Sequence, residues 1–498
     1  MTVERSAGGS SFGTGTGLFR RMPIEHLTEA PKGSSLVKSL SLFQLTAIGV
    51  GGIIGAGIFS LAGVVANEDA GPAVLISFLI AGVASAAAAF SYAEFAGLIP
   101  RAGSAYTYGY AVLGEFVGWC IGWDLILEYT AIVAVVAIGI SGYFNYLVNQ
   151  MGWNLPHWML GAAGTHDPGK TVGQTGHVVD LFAVVLCLFI AWLLTQGIRN
   201  AARFETFVVA LKVVVVLIII AFGVFHISKS NYTPFMPKGL GGAFTGAATV
   251  FFAVFGYDAM STAAEESKDS QKHMPKAIIY SLAISMVLYV LACLVLTGMV
   301  NYKSIDTKSP FSSAFTSVGM NWLGTVIACG AIIGILTVMF TFMLGVTRVW
   351  YTMSRDGLLP KYFSGTSHKH HVPTRVTWIV GVASALLAGF VPIGTAAELT
   401  NIGILSAFVV VCIAVIVLRY RQPDLQRGFR CPWVPVVPAV GVIASIWLIT
   451  YLKWETWMRF AIWFVVGCGV YFFYSRYHSL LAPESEPVVF SPPAPPAG

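Results

Sequence analysis

Gly49-Val-Gly-Gly-Ile-Ile-Gly-Ala-Gly-Ile-Phe59 is the stretch on which the reading of the chain turns. It lies inside a long apolar segment, 43–66, and five of its eleven residues are glycine. A glycine in a helix interior costs roughly 0.5–1 kcal/mol against alanine, so a helix that only had to cross a bilayer would gain nothing from five. Two readings account for them. One is a helix that breaks in mid-membrane, where bare amides and carbonyls can hold a ligand. The other is a glycine-rich face for close helix packing. The stretch alone does not separate the two.

Outward from it, the composition sets the class. The 498 residues are 56% hydrophobic and 10% charged, against about 25% charged in ordinary soluble domains. Apolar runs of about 18 or more residues recur, each long enough to cross roughly 30 Å of hydrocarbon. This is the composition of an all-α polytopic membrane protein. Twelve spans are expected, at 43–66, 73–97, 115–147, 178–196, 203–226, 241–264, 277–300, 318–353, 374–391, 398–419, 434–452 and 458–477. The third and eighth exceed what a bilayer needs and are expected to tilt. The first 42 residues are polar, Gly/Ser-rich and basic, without the apolar core of a cleavable signal peptide. Within them Phe19–Leu27 reads as a short amphipathic piece at the inner surface. The loop 148–177 fits a small lid and an unstructured connector equally, and the Pro-rich tail 478–498 is expected to be disordered.

The net charge of +6 is no nucleic-acid signature in such a chain; its meaning is positional. With the N-terminus inside, 21 Lys and Arg fall in inner segments and 7 in outer ones, leaving Lys212 within a span. This split places both termini in the cytoplasm. Neither the seven cysteines nor the ten histidines show disulfide or metal-ligand spacing.

Charges inside the spans are few. Lys212 sits in Phe207-Val-Val-Ala-Leu-Lys-Val-Val-Val-Val-Leu217, where a lysine costs about 2.5–3.5 kcal/mol on insertion scales. Snorkelling is the plain explanation, but Arg203 and Glu205 already mark the inner end, more than a turn away. A proton carrier, or a fixed cation in the place of a sodium ion, fits better. Asp124 and Glu128 share a face of the third span. Glu128 lies deeper and suits a polar network near a site, whereas Asp124 suits an interfacial basic partner as well. Glu94, Glu115 and Glu205 sit near span ends, where solvation or capping suffices. The sixth span carries a second break candidate, Thr249-Val-Phe-Phe-Ala-Val-Phe-Gly-Tyr-Asp258, with the intramembrane Asp258. Two interrupted helices five spans apart point to inverted repeats around a midplane site. At a break, orphan N–H groups attract an anion and orphan carbonyls a cation. An amino acid zwitterion carries both.

Five segments now resemble a known family: Gly51-Gly-Ile-Ile-Gly-Ala-Gly-Ile-Phe59; Ser91-Tyr-Ala-Glu-Phe-Ala-Gly-Leu-Ile-Pro-Arg-Ala-Gly-Ser-Ala-Tyr-Thr-Tyr108; Phe251-Phe-Ala-Val-Phe-Gly-Tyr-Asp258 with Ala264-Glu-Glu266; Arg348-Val-Trp-Tyr-Thr-Met-Ser-Arg-Asp-Gly-Leu-Leu-Pro360; and Phe429-Arg-Cys-Pro-Trp433. In this order they are similar to bacterial members of the cationic amino acid transporter family, within the amino acid–polyamine–organocation superfamily. The resemblance implies the leucine-transporter-like fold: inverted five-helix repeats at 43–226 and 241–420 with broken first and sixth helices, two further helices within 434–477, and cytoplasmic tails at 1–42 and 478–498. It implies alternating access and sodium-independent, proton-linked uptake of amino acids. It further implies a place in the cell membrane among lipids, as a monomer or with a small single-span subunit, with no cofactor, no enzymatic activity and no nucleic-acid partner. The substrate carboxylate maps to Gly55, Ala56 and Gly57, beside Ile54. The amino group maps to carbonyls of Ile53, Phe252, Ala253 and Phe255. Lys212 maps to the family's sodium surrogate, Glu128 to the acid of its third helix, and Asp258 joins the gating network. Two departures bear on substrate. Ala56 stands where relatives often carry a hydroxyl. The eighth span, Gly330-Ala-Ile-Ile-Gly-Ile-Leu-Thr-Val-Met339, is apolar, with Leu336 as the expected side-chain contact. An apolar wall favours small neutral or broad substrates over the arginine and lysine of the family's name. An amino acid sensor of the same fold is the competing reading from another class.

Overall fold

The computed structural model describes residues 20–21, 40–99, 104–165, 176–196, 201–261, 264, 267–365, 373–479 and 481. Among them the elements are helical, joined by turns and isolated bridges. The longer helices are α1 (Leu42–Ile53), α2 (Val74–Leu98), α3 (Glu115–Gln150), α4 (Leu181–Thr195), α5 (Ala201–Gly223), α6 (Gly239–Val250), α7 (Ser270–Met299), α8 (Asn321–Arg355), α9 (Thr374–Phe390), α10 (Ile393–Arg421), α11 (Val436–Thr450) and α12 (Trp454–Val470). Among the described residues eight stretches are long and apolar enough to cross a membrane, the first running from Leu42 to Leu98. That stretch turns back at Gly71, whose φ of 62° suits glycine. Helices α4, α9 and α11 are apolar but shorter, at 15, 17 and 15 residues.

Local chemistry starts several helices where they begin. Ser41 and Gln44 form a reciprocal capping box on α1. The Asp180 carboxylate accepts from the Ala183 amide at the head of α4, 3.0 Å away. The longest helices, α3 and α8, pack along one another. Their 36 and 35 residues amount to about 50 Å of helix, well beyond the hydrocarbon thickness. Helix α1 lies inside the bundle against α5 and α7. Large apolar side chains such as Phe225, Val465 and Phe473 face outward, as lipid-facing surfaces require.

Of the two readings of the loop 148–177, its described residues favour a cap. They include a tight turn, His157–Met159, and bridges from Leu160 to Asp180 and from Ala162 to Val178. The His177 ring joins the His157 carbonyl at 2.8 Å. Apart from Arg20 and Arg21 the amphipathic piece lies outside the described residues, as do the histidine cluster 368–371, Glu265, Glu266 and, apart from Ser479 and Leu481, the tail beyond His478.

Candidate functional site

Both expected breaks are places where helical hydrogen bonding stops. Helix α1 ends at Ile53; Ile54 is extended (φ −74°, ψ 103°), and helical turns resume at Ala56 and Gly57. Helix α6 ends at Val250, a tight turn follows at Phe251–Ala253, and Gly256 takes a φ of 117° before the short helix Tyr257–Ser261. The breaks touch. A β-carbon on Gly256 would lie 2.6 Å from the Gly52 carbonyl, and one on Gly57 would run into Ala253. The break itself falls at Ile54, and the glycines of the first stretch serve the close-packing reading: they let two broken backbones meet. Ile53, Ile54, Gly55, Ala56, Gly57, Phe252, Ala253 and Phe255 are all buried here.

Following the backbone groups narrows what the breaks can offer. The Tyr289 hydroxyl donates to the Ile53 carbonyl at 2.7 Å. The Asn401 amide donates to the carbonyls of Ala248 and Thr249 at 2.8 and 2.9 Å. Ser85 donates to the Val254 carbonyl at 2.7 Å, and the Val254 amide to Phe251 at 3.0 Å. The carbonyls of Phe252, Ala253 and Phe255 take part in none of these bonds. The first N–H groups of the turn beginning at Gly55–Gly57 have no partner within their own helix.

Lys212 comes to α1 rather than snorkelling. It is fully buried, and its ammonium donates to the Gly51 carbonyl at 2.5 Å, with the Gly334 carbonyl and the Thr337 hydroxyl of α8 at 3.5 Å. It joins the first helix to the eighth, just before the break.

The side-chain wall is apolar and aromatic. Val338 packs on Gly55, where a β-carbon would lie 3.0 Å from its methyl. The Phe252 and Phe255 rings meet at 5.7 Å, Phe255 and Phe342 at 5.7 Å, and Phe342 and Tyr129 at 5.1 Å. Ile335, Val338, Met339 and Phe342 form the buried stripe of α8. Leu336 is half-buried and turned about 100° from Ile335, so it lies on the flank of that stripe. The phase of α8 could not be set from an apolar run in which most positions look alike. Ala56 directs its methyl at Gly139 of α3.

Beside this wall, Tyr129 donates to Asp258 at 2.5 Å. Glu128 is buried with one oxygen unpartnered, in electrostatic contact with Asp258 and Asp124. The interfacial partner considered for Asp124 does not form among the described residues; this carboxyl is buried against Gly403 of α10.

Glu94 and Glu115 correct the solvated-or-capping expectation, since both are buried. The Glu94 carboxylate accepts from Arg419 twice at 2.8 Å and from the Cys431 amide at 2.8 Å, and forms an ion pair with Arg427 at 2.9 Å. Two of the quoted segments, around Ser91 and around Phe429, therefore meet. Glu115 accepts from Ser479 at 2.6 Å and Tyr471 at 3.1 Å. Toward the cap, Phe59 packs edge-on against Tyr143 and Phe311, both at 6.4 Å. Asn401, Ser85 and Tyr289 were missed because an uncharged polar residue in an apolar span raises no alarm in a sequence.

Comparison with known proteins gives the family. The family described as Amino acid permease matches residues 40–485. A methylthioribose transporter of Bacillus subtilis is 44% identical over 464 residues, 93% of this chain and 99% of the relative. A branched-chain amino acid permease of the same organism is 45% identical over 466 residues, again 93% and 99%. A vacuolar cationic amino acid transporter of Arabidopsis thaliana is 37% identical over 432 residues, 86% of this chain and 67% of the relative. These relatives are named as transporters and permeases, not enzymes, and the chain belongs to the amino acid permease family as a multi-pass membrane protein.

Proposed function

We propose that this permease moves neutral, apolar amino acids across the cell membrane by alternating access, linked to protons and independent of sodium. The observation that carries the reading is the aromatic and aliphatic wall of Phe252, Phe255, Val338 and Phe342 beside two touching helix breaks. The amides of Gly55, Ala56 and Gly57 would hold the carboxylate, and the carbonyls of Phe252, Ala253 and Phe255 the ammonium. The second lone pair of the Ile53 carbonyl would add to them. Burying apolar side-chain surface against the wall is worth about 25 cal/mol per Å². Lys212 fills the place of a sodium ion, and Glu128 and Asp258 serve the polar gate. Counting Leu42–Leu98 as two crossings and adding α4, α9 and α11 supports twelve spans, arranged as inverted repeats 43–226 and 241–420.

The relatives named for branched-chain amino acids support the apolar preference. One observation favours a cationic substrate instead: Glu128 and Asp258 lie buried together behind the wall. A competition panel settles the choice. Purified protein is heated with each common amino acid, and hits are retested by counterflow in proteoliposomes. Leucine, isoleucine, valine and alanine should stabilise and exchange. Tighter stabilisation by arginine or lysine would overturn the neutral preference. Saturable stabilisation without exchange would favour the sensor reading. Methylthioribose carries neither ammonium nor carboxylate and should not compete; strong competition by it would sink the zwitterion site.

A further inference from the structure

We infer that Asn401 is a positioning residue for amino-group recognition, holding the end of α6 so that the carbonyls beyond it stay free and directed at the substrate. The inference rests on the proposal that the breaks read the backbone end of an amino acid.

In a continuous helix the Ala248 and Thr249 carbonyls would accept from amides four residues on. The tight turn at Phe251–Ala253 takes those amides away. Left alone inside a membrane, the two carbonyls would be costly and would compete for any cation entering the break. Asn401, fully buried on α10, supplies a bond to each from one amide nitrogen. The orientation of the amide follows from chemistry, since a flipped group would set its oxygen against two carbonyl oxygens. Its own oxygen is buried without a partner. A side chain kept only for packing at this place would be apolar and spare that cost. The demand is therefore for the two donors. Asparagine also meets it without charge, so it adds no repulsion toward an ammonium group.

Ser85 of α2 does the matching work after the turn, donating to the Val254 carbonyl. The sixth helix is thus pinned on both sides of its break, by α10 before and α2 after. Each carbonyl so pinned has one lone pair taken by a protein donor and competes less for a cation. Phe252, Ala253 and Phe255 are left, and these are the ones assigned to the ammonium group.

The test is counterflow in proteoliposomes at equal pH on both faces, with Asn401→Leu, Asn401→Asp and, as comparator, Phe342→Ala. All substrates share the ammonium group. Asn401→Leu should therefore raise KM by a similar factor, roughly tenfold or more, for every amino acid carried, with their ratios unchanged. Phe342→Ala should change the ratios. Asn401→Asp keeps the size but, when ionised, has no donor to offer two carbonyls; when protonated it has one. Its activity relative to the unaltered protein should climb as pH is lowered from about 8 to about 5. A residue that served packing alone would give a flat ratio. An unchanged KM in Asn401→Leu, an uneven rise across substrates, or a flat Asn401→Asp ratio would each overturn the inference. Should Asn401→Leu fail to fold, the Asn401→Asp ratio decides alone. No counterflow of any amino acid by the unaltered protein would overturn the proposed function itself, and this inference with it.

Discussion

Lys212 shows how much one side chain can carry. Its ammonium bonds to the Gly51 carbonyl, just ahead of the α1 break, and reaches α8 through Gly334 and Thr337. Truncation to alanine removes a charge-assisted bond and leaves a buried carbonyl without its donor, a loss of about 1–3 kcal/mol. Lys212→Ala should abolish proton-driven uptake while the protein still reaches the membrane. Uptake at the normal rate under an imposed pH gradient would remove Lys212 from the mechanism. This residue was legible in the sequence because a lysine amid valines, more than a turn from the charged inner end, is poorly served by snorkelling. The side-chain wall was legible in kind but not in position. A helix turns about 100° per residue, so an uncertainty of one residue separates Ile335, on the buried stripe, from Leu336 on its flank. Asn401 and Ser85 were illegible because their importance lies in which carbonyls they meet, and that depends on how α10 and α2 dock.

Among the elements, the segment after α10 is held by a cluster that no single motif announces. Glu94 at the end of α2 binds Arg419, Arg427 and the Cys431 amide. Glu94 and the Arg427 side chain are each 1% exposed, and removing one partner of a buried pair commonly costs about 3–5 kcal/mol. Burial, with the Glu94 carboxylate beside it, pushes the Cys431 thiol up to about 12. The reactive thiolate is then scarce at neutral pH. In a variant retaining Cys431 as its one cysteine, a maleimide should label it slowly if at all. Adding Glu94→Gln should release the segment and speed labelling at least tenfold. Equal rates in the two forms would show that Glu94 does not hold this segment. Eight membrane-length stretches among the described residues could be read from apolar run lengths, because a bilayer sets that length. The pairing of a span-end acid with arginines hundreds of residues away leaves no trace in either segment alone.

For the molecule as a whole, the charge split remains the guide to orientation. The cap carries few basic residues, whereas the Glu94 cluster gathers several at the opposite end. A cysteine placed at Asn154, exposed in the cap, should react with a membrane-impermeant reagent in intact cells. One placed at Gln426, exposed near the arginines, should react only after the membrane is opened. The reverse pattern would invert the proposed topology. Between these ends, on the side of the cap, Phe59 packs edge-on against Tyr143 and Phe311.

The contact between Gly52 and Gly256 brings the two broken backbones together beside the α8 wall. A ligand gripped by amides at one break, by carbonyls at the other and by its side chain at the wall is held at three points that do not share a line. Such a grip tells a molecule from its mirror image. In the proposed site that backbone contact would make recognition strict about handedness, admitting one enantiomer of an amino acid and turning away the other.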